Sequence, residues 1–345
     1  MYQPCGCCII NLMATSEKII VTGGAGFIGS AVVWRLNEMG RDDILIVDRM
    51  DETDKWKNLA PLKFADYIDA DDFIDDIGDF KDTEAIFHLG ACSSTTERDA
   101  DYMLRNNFQY TKDLADFALS NDIRFIYASS AATYGDGSNG MADGTETLDA
   151  LRPLNVYGYS KQLFDQYAAR NGMFDHIVGL KYFNVFGPNE NHKGDMRSLV
   201  NKAFDQISET GKLQLFKSAD PAYADGEFGR DFVYVKDAVD MTLHFMEPLA
   251  TASGSDNTGG LFNVGSGRMN TWNSLADAIF KALGRPRNVE FIDMPEHLRD
   301  RYQYHTQADL TRLRTAGYTA ETTPLDTAVA DYVQNYLVPD KHLGD

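Results

Sequence analysis

Tyr157 and Lys161 stand four residues apart in the segment PLNVYGYSKQ, which a run of good helix formers follows. On a helix, residues at i and i+4 share a face, whereas residues at i and i+2 do not. Tyr157 can therefore share a site with Lys161, and Tyr159 points elsewhere. An ammonium close to a phenol favours the phenolate and lowers its pKa towards the working range of an acid/base group. The spacing indicates an acid/base pair, although an isolated Y-x-x-x-K pattern often arises by chance.

A hydroxyl side chain that could complete this pair is Ser130, in the segment YASSAATYG, 27 residues before Tyr157. The segment follows a predicted strand. Ligands of open α/β sheets bind at the carboxyl ends of the strands. We therefore expect Ser130 to hydrogen-bond the oxygen atom that reacts.

Residues 23–29 read GGAGFIG, with Gly23, Gly26 and Gly29 spaced G-x-x-G-x-x-G between a predicted strand and a predicted helix. The missing side chains permit a tight turn and let the backbone approach a pyrophosphate. The helix N-terminus adds unpaired N–H groups and the positive end of the helix dipole. Strand, motif, helix, strand and terminal acid follow in order, which predicts a dinucleotide-binding βαβ unit.

The terminal acid is Asp48, 19 residues after Gly29, and Arg49 and Lys55 follow it. An acid at this point can bind the ribose hydroxyls of the cofactor, whereas a cation there can pair with a 2′-phosphate. The two cations favour NADP, and NAD remains the alternative.

The elements that must position these residues alternate between strand and helix. Apolar runs predict strands at 18–22, 44–48, 85–89, 124–128 and 176–182, with helices at 27–39, 101–120 and around Lys161. Such alternation predicts an α/β fold, a doubly wound parallel sheet with helices on both faces. We assign residues 1–16 to a disordered leader. Residues 17–186 are predicted to form a cofactor-binding unit, and residues at about 231–248 are predicted to belong to the same unit. Residues 187–230 and about 261–340 form a smaller, interleaved substrate-binding unit.

The chain of 345 residues carries a net charge of −20, which disfavours nucleic acids and anionic membranes as partners. Its four cysteines are Cys5, Cys7, Cys8 and Cys92, with no partner at metal-ligand spacing. They indicate reduced thiols in a cytoplasmic protein without a metal.

The segments GGAGFIG, SSAATYG, YGYSK and RDFVYVKD resemble the extended short-chain dehydrogenase/reductase superfamily over nearly the whole chain from Lys18. The resemblance implies a Rossmann-type fold with a smaller C-terminal substrate domain. It also implies a nucleotide-sugar substrate, and it assigns Ser130, Tyr157 and Lys161 to a catalytic triad.

A narrower resemblance rests on HLGACSSTTE, KYFNVFGPNENHKGDM and RYQYHTQADL, which are similar to the ADP-heptose 6-epimerase family. It implies an isomerase that inverts C6 of the heptose by transient oxidation to a ketone, for lipopolysaccharide core biosynthesis, and a homo-oligomer, a pentamer. It makes Lys193 a second acid/base. Basic residues gather where it predicts substrate contact, namely Lys193, Arg197, Lys202, Lys217 and Arg230. The implied substrate contacts are Asn184, Asp195, Lys202, Phe216, Arg230 and Tyr302. The implied cofactor contacts, besides the three glycines, are Phe27, Ile28, Asp48, Arg49, Lys55, Leu89, Gly90, Ala91, Cys92, Ser93, Asn106, Lys161 and Val185.

Alternative functions are weighed by the residues that each would need. Asp195 stands where the family usually has a small serine, and a carboxylate there would repel a diphosphate unless it points away or pairs with Arg197. Sugar-nucleotide dehydratases carry an Asp-Glu pair where this chain has Ala131 and Ala132. A hexose 4-epimerase or a related reductase needs no counterpart of Lys193. A scaffold without activity usually loses triad members, and this chain retains all three.

Overall fold

The computed structural model describes residues 18–247, 259–296 and 303–345, in which parallel strands alternate with helices. The strands in chain order are β1 (Lys18–Thr22), β2 (Ile44–Asp48), β3 (Asp66–Asp69), β4 (Thr83–His88), β5 (Arg124–Ser130), β6 (Val178–Tyr182), β7 (Asn184–Phe186), β8 (Leu213–Phe216), β9 (Gly229–Tyr234), β10 (Gly260–Val264), β11 (Met269–Thr271) and β12 (Val289–Ile292). The helices are α1 (Phe27–Glu38), α2 (Trp56–Leu59), α3 (Ala70–Asp75), α4 (Ala100–Met103), α5 (Tyr110–Ser120), α6 (Val156–Arg170), α7 (Leu199–Thr210), α8 (Val235–Leu243), α9 (Trp272–Ala282), α10 (Thr311–Thr315) and α11 (Leu325–Tyr332).

Seven of these strands form one parallel sheet in the order β10-β6-β5-β4-β1-β2-β3. Successive side chains of a strand point to opposite faces of a sheet. Ile19 and Val21 of β1 accordingly join the apolar cluster that contains Val32 of α1. Ile20 joins a second cluster with Leu114 of α5. Helices thus cover both faces of the sheet, which confirms the predicted doubly wound α/β fold.

Two small sheets stand outside the large one, with the strand orders β11-β9-β7 and β12-β8. Strand β10 differs from the sequence-based division, which places residues from about 261 in the substrate-binding unit. It pairs in parallel with β6 at the edge of the large sheet. A short apolar strand suits either sheet, because its pairing depends on tertiary packing more than on its own pattern. Helix α8 packs against α1, and Arg35 and Asp240 form an ion pair of 2.8 Å between them.

The predicted helix at 101–120 is divided by a π-helical turn at Leu104–Gln109, between α4 and α5. Strand β3 and helix α3 have no counterpart among the predicted elements. Their sequence, DYIDADDFID, carries acidic residues at half of its positions, so the apolar periodicity that marks an element is weak.

In the three described ranges, no helix is both long enough and apolar enough to cross a membrane. The predicted leader at 1–16, with Cys5, Cys7 and Cys8, lies outside the described residues. Residues 248–258 and 297–302 also lie outside them.

Candidate active site

The glycine motif forms a cradle that has no room for side chains. Gly23 adopts a φ of +68°, and a Cβ atom there would lie 2.5 Å from the Gly90 nitrogen. A Cβ atom on Gly29 would lie 2.0 Å from the carbonyl oxygen of Gly23. Gly26 precedes α1 and offers no capping side chain to the N–H groups of its first turn. The cradle therefore fits the pyrophosphate of a dinucleotide, which those N–H groups would bind.

The carboxylate of Asp48 joins the cradle to the second strand. Its Oδ2 accepts a hydrogen bond of 2.9 Å from the Ala25 nitrogen. Its Oδ1 accepts bonds from the Arg49 nitrogen at 2.8 Å and from Lys55 Nζ at 2.9 Å. Asp48 and Lys55 line the cavity above the cradle. This end of the cavity thus holds the acid and one of the two cations that the sequence places beside the cofactor ribose.

The other cation, Arg49, does not line this cavity. Its guanidinium contacts Asp71 and donates a hydrogen bond of 2.8 Å to Asn106 Oδ1. Neither Asn106 nor Cys92 lines the cavity. The backbone of Cys92 is held by the Asn107 side chain through bonds of 2.8 and 2.9 Å. The cavity lining therefore does not include these three predicted cofactor contacts.

Ser130, Tyr157 and Lys161 are brought together as the spacing predicted. Tyr157 lies in the first turn of α6, whose start is capped by Asn155 Oδ1, 2.8 Å from the Gly158 nitrogen. Ser130 ends β5, and all three side chains line the same cavity. Tyr159 is 48% exposed and is not among the residues that line it. Helix periodicity alone thus separates the two tyrosines.

The electrostatics of this group differ from the sequence-based expectation. We expected Lys161 to lower the pKa of Tyr157. Instead, burial raises the pKa of Tyr157, and a hydrogen bond with Ser130 opposes the shift. Burial also lowers the pKa of Lys161 to about 8, against the charge of Asp165. Desolvation disfavours charged forms. The pKa of a buried tyrosine therefore rises, and the pKa of a lysine in the same site falls.

A buried ion pair lies behind the three residues. Asp165 accepts hydrogen bonds of 2.8 Å from both Lys181 Nζ and Ser129 Oγ, and both charged side chains are fully buried. Lys181 also donates a bond of 2.7 Å to Thr133 Oγ1. Ser129 and Thr133 flank Ser130 in the chain. The pair therefore fixes the turn that carries Ser130 relative to α6.

Lys193 lies beside the first residue of the helix that follows the cradle. It lies in the turn at Asn191–Met196, and its Nζ is 5.0 Å from the centroid of the Phe27 ring, a cation–π contact. Burial lowers the pKa of Lys193, the carboxyl group of Glu190 opposes the shift, and Lys202 adds to it. Lys193 is thus a half-buried residue of the cavity wall and not a solvated surface lysine.

Asn58 connects the Lys193 segment to the glycine loop. Its buried Nδ2 lies 2.9 Å from the Ala25 carbonyl oxygen and 3.1 Å from that of Asn189. It also lies 3.2 Å from His192 Nδ1. One amide group therefore bridges the two sides of the site.

Cations line the remaining part of the cavity, where the resemblance places the substrate. Arg197, Lys202 and Arg230 all face it. Arg230 lies in β9, with its guanidinium carbon 5.9 Å from the Trp272 ring. The expected fifth cation, Lys217, does not line the cavity. It is exposed and pairs with Asp293 at 3.0 Å, which corrects the sequence-based cluster.

Asp195, the residue that departs from the family pattern, is exposed and does not line the cavity. Arg197 pairs with Asp205 at 2.8 Å rather than with Asp195. The carboxylate therefore does not share the cavity with these cations, and its predicted contact with substrate has no support in this geometry. Tyr302 lies outside the described residues.

The cavity has a volume of about 1510 Å³. The predicted site residues that line it are Gly23, Gly26, Phe27, Ile28, Gly29, Asp48, Lys55, Leu89, Gly90, Ala91, Ser93, Ser130, Tyr157, Lys161, Asn184, Val185, Lys193, Lys202, Phe216 and Arg230. No group of three or more His, Cys, Asp or Glu side chains that could hold a metal ion occurs in the described part of the chain.

Sequence reasoning missed Asn58, His192 and Trp272. The last two line the cavity, and Trp272 Nε1 is buried without a hydrogen-bond partner among the described residues. An aromatic residue at the start of an amphipathic helix is typical of a core position, so the sequence carries no sign of this role. His192 stands directly before Lys193 in NHKGDM, and that position was a usable signal.

Comparisons with known proteins agree with this geometry. A family model described as the NAD dependent epimerase/dehydratase family matches residues 19–265. The chain is 50% identical over 328 residues to an ADP-L-glycero-D-manno-heptose-6-epimerase of Nitratidesulfovibrio vulgaris, covering 94% of this chain and 99% of that protein. It is 46% identical over 334 residues to the protein of that name from Fusobacterium nucleatum, covering 93% and 98%.

Among solved structures, the fold matches a Helicobacter pylori ADP-L-glycero-D-manno-heptose-6-epimerase with a TM-score of 0.75 and 27% identity, covering 92% of this chain and 96% of that one. The glycine cradle, the Ser130–Tyr157–Lys161 group and the match over residues 19–265 lead to one assignment. The chain belongs to the NAD dependent epimerase/dehydratase family.

Proposed function

We propose that the chain is an epimerase that inverts C6 of ADP-D-glycero-D-manno-heptose to give ADP-L-glycero-D-manno-heptose. The observation that carries the proposal is the position of two acid/base groups, Tyr157 and Lys193, in the wall of one cavity that also contains the glycine cradle. The names of the relatives at 46 and 50% identity support the same substrate.

Inversion at C6 needs transient oxidation, because no carbonyl group adjoins C6 to make its C–H bond acidic. A bound nicotinamide supplies a reversible hydride acceptor for this step. The C6–H and O6–H bonds break together, the planar ketone turns in the site, and both bonds form again with the hydrogen on the other face. No net redox change occurs.

Tyr157 and Lys193 exchange the proton of O6 at the two faces of the ketone. Burial favours the neutral form of each, since it raises the pKa of the Tyr157 phenol and lowers that of the Lys193 ammonium. In one direction the Lys193 amine accepts the O6 proton and the Tyr157 phenol donates its own to the turned ketone. The forward step leaves a Tyr157 phenolate and a Lys193 ammonium. In the reverse direction that phenolate accepts the O6 proton and that ammonium donates a proton to the ketone, and proton exchange with solvent connects this state to the neutral pair.

Ser130 and Lys161 assist at the Tyr157 face. Ser130 hydrogen-bonds the Tyr157 hydroxyl and is placed to bind the reacting oxygen as well. The Lys161 ammonium stabilises the phenolate that remains after Tyr157 has given up its proton. Its pKa of about 8 means that this charge is present at neutral pH.

The substrate diphosphate binds to the cations at the other end of the cavity. Arg230 and Lys202 are candidates, because they line the same cavity as Phe216 and Asn184. A guanidinium can bind two phosphate oxygens at once, and an ammonium adds a point charge.

Two alternative reactions lack support at this site. A dehydratase needs an acid and a base beside the serine, and Ala131 and Ala132 stand there in the cavity wall. A hexose 4-epimerase gives no role to Lys193 on Phe27. We further infer that NADP is the preferred cofactor, because Lys55 accompanies Asp48 in the cavity and Arg49 directly follows Asp48 in the chain.

The test is incubation of the purified protein with ADP-D-glycero-D-manno-heptose, followed by chromatographic separation of the C6 epimers. We expect a mixture of both epimers from the parent protein. We expect only the unconverted D-glycero epimer from Tyr157→Phe. Conversion of UDP-glucose in a parallel reaction, with the heptose unchanged, would establish a 4-epimerase instead.

A further inference from the structure

We propose that Asp71 sets the preference of this site between NADP and NAD, because it competes with a 2′-phosphate for the Arg49 guanidinium. The inference rests on the proposed function only in that the cradle binds a nicotinamide dinucleotide. It does not depend on the sugar substrate.

The contact between Asp71 and Arg49 is bidentate. Arg49 Nε lies 3.3 Å from Asp71 Oδ2, and Nη2 contacts Oδ1. The remaining terminal nitrogen, Nη1, donates a hydrogen bond of 2.8 Å to Asn106 Oδ1. All three guanidinium nitrogens are therefore engaged by Asp71 and Asn106, neither of which lines the cavity, although Arg49 directly follows the acid that ends β2.

The charges around the ribose end balance one another. Lys55 is paired with Asp48, and Arg49 is paired with Asp71. A cofactor that carries a 2′-phosphate brings about two further negative charges to this point. This phosphate must therefore displace Asp71 from Arg49, or bind to Lys55 alone. A cofactor with a plain ribose hydroxyl makes no such demand.

The Arg49–Asp71 pair is open to solvent, with side chains 36 and 72% exposed. Exposed pairs of this kind contribute little, so a phosphate dianion can displace Asp71 from Arg49 at a modest cost. The guanidinium also holds the pKa of Asp71 below its usual range, so Asp71 stays charged and competes at neutral pH.

The experiment is a competition on the full-length protein. Parent and Asp71→Asn proteins are equilibrated with equal concentrations of NADP⁺ and NAD⁺ at one ionic strength and freed of unbound cofactor. The bound dinucleotides are then extracted and quantified by chromatography. We expect Asp71→Asn to raise the ratio of bound NADP to NAD about fivefold, the scale of one exposed ion pair.

Two further variants separate the pair from the general field of this acidic surface. Asp72→Asn removes a neighbouring exposed charge that no hydrogen bond joins to Arg49, and we expect the ratio to stay unchanged. In an Arg49→Gln background, Asp71→Asn should have no effect. An unchanged ratio in Asp71→Asn, or the same rise in Asp72→Asn, would overturn the inference. Failure of the parent to retain either dinucleotide would instead contradict the cofactor assignment itself, and the inference with it.

Discussion

The Nζ atom of Lys193 lies 5.0 Å from the centroid of the Phe27 ring, directly beside the glycine cradle. The proposed second acid/base is therefore packed against the first residue of the cofactor-binding helix. In the proposed reaction, a dinucleotide in the cradle and this acid/base share one wall of the cavity, so C6 of a bound sugar can meet both.

Lys193→Ala should lower kcat for C6 inversion by about 10²–10⁴-fold, the usual contribution of a general acid/base, and leave cofactor binding unchanged. Lys202→Ala removes another cation of the same cavity and should mainly raise KM. Steady-state kinetics and the cofactor content of both variants check this. Parental turnover in Lys193→Ala would remove Lys193 from the mechanism.

The pH dependence should reflect Lys161. Its pKa is lowered to about 8, so the ammonium is present below that pH and is lost as the pH rises through it. We expect kcat to fall on the alkaline side with an apparent pKa near 8. Lys161→Arg, which keeps its charge, should be less active but lack that fall. An alkaline limb that persists unchanged in Lys161→Arg would assign it to another group.

Asn58→Ala should weaken cofactor binding and lower kcat together, because one amide contacts both the glycine loop and the Lys193 segment. Titration with NADP⁺ and steady-state kinetics give the two quantities. The exposed Asn288, which bonds the Gly211 carbonyl oxygen at 3.0 Å, offers a matched Asn→Ala control that should change neither. A loss of one quantity alone would show that Asn58 does not link the two sides.

Lys181→Met should lower the free energy of unfolding by about 3–5 kcal/mol, since it leaves the buried Asp165 carboxylate without its cation. Lys212→Met breaks an exposed pair with Glu290 and should change the free energy of unfolding little. Urea denaturation measures both variants. Equal stabilities would mean that Asp165 finds sufficient compensation in its hydroxyl donors.

Local patterns predicted the parts of the site that depend on one element. The four-residue spacing in α6 placed Tyr157 with Lys161, and the glycine spacing located the cradle. The direction of Arg49 could not be predicted, because Asp71 lies in α3, whose acidic sequence hides its periodicity. The role of Asn58 was equally hidden, since its partners Asn189 and His192 lie 131 and 134 residues away in the chain. The prediction that Lys217 contacts the substrate was wrong. A basic residue in a segment that otherwise lines the cavity can still point outward, as Lys217 does in its pair with Asp293.

In the proposed mechanism, C6 is inverted by transient oxidation within one bound complex. A direct test uses ADP-D-glycero-D-manno-heptose that carries deuterium at C6. We predict that mass spectrometry of the separated L-glycero epimer shows full retention of deuterium at C6, since the same hydrogen leaves and returns. Replacement of that deuterium by hydrogen from water would contradict the account.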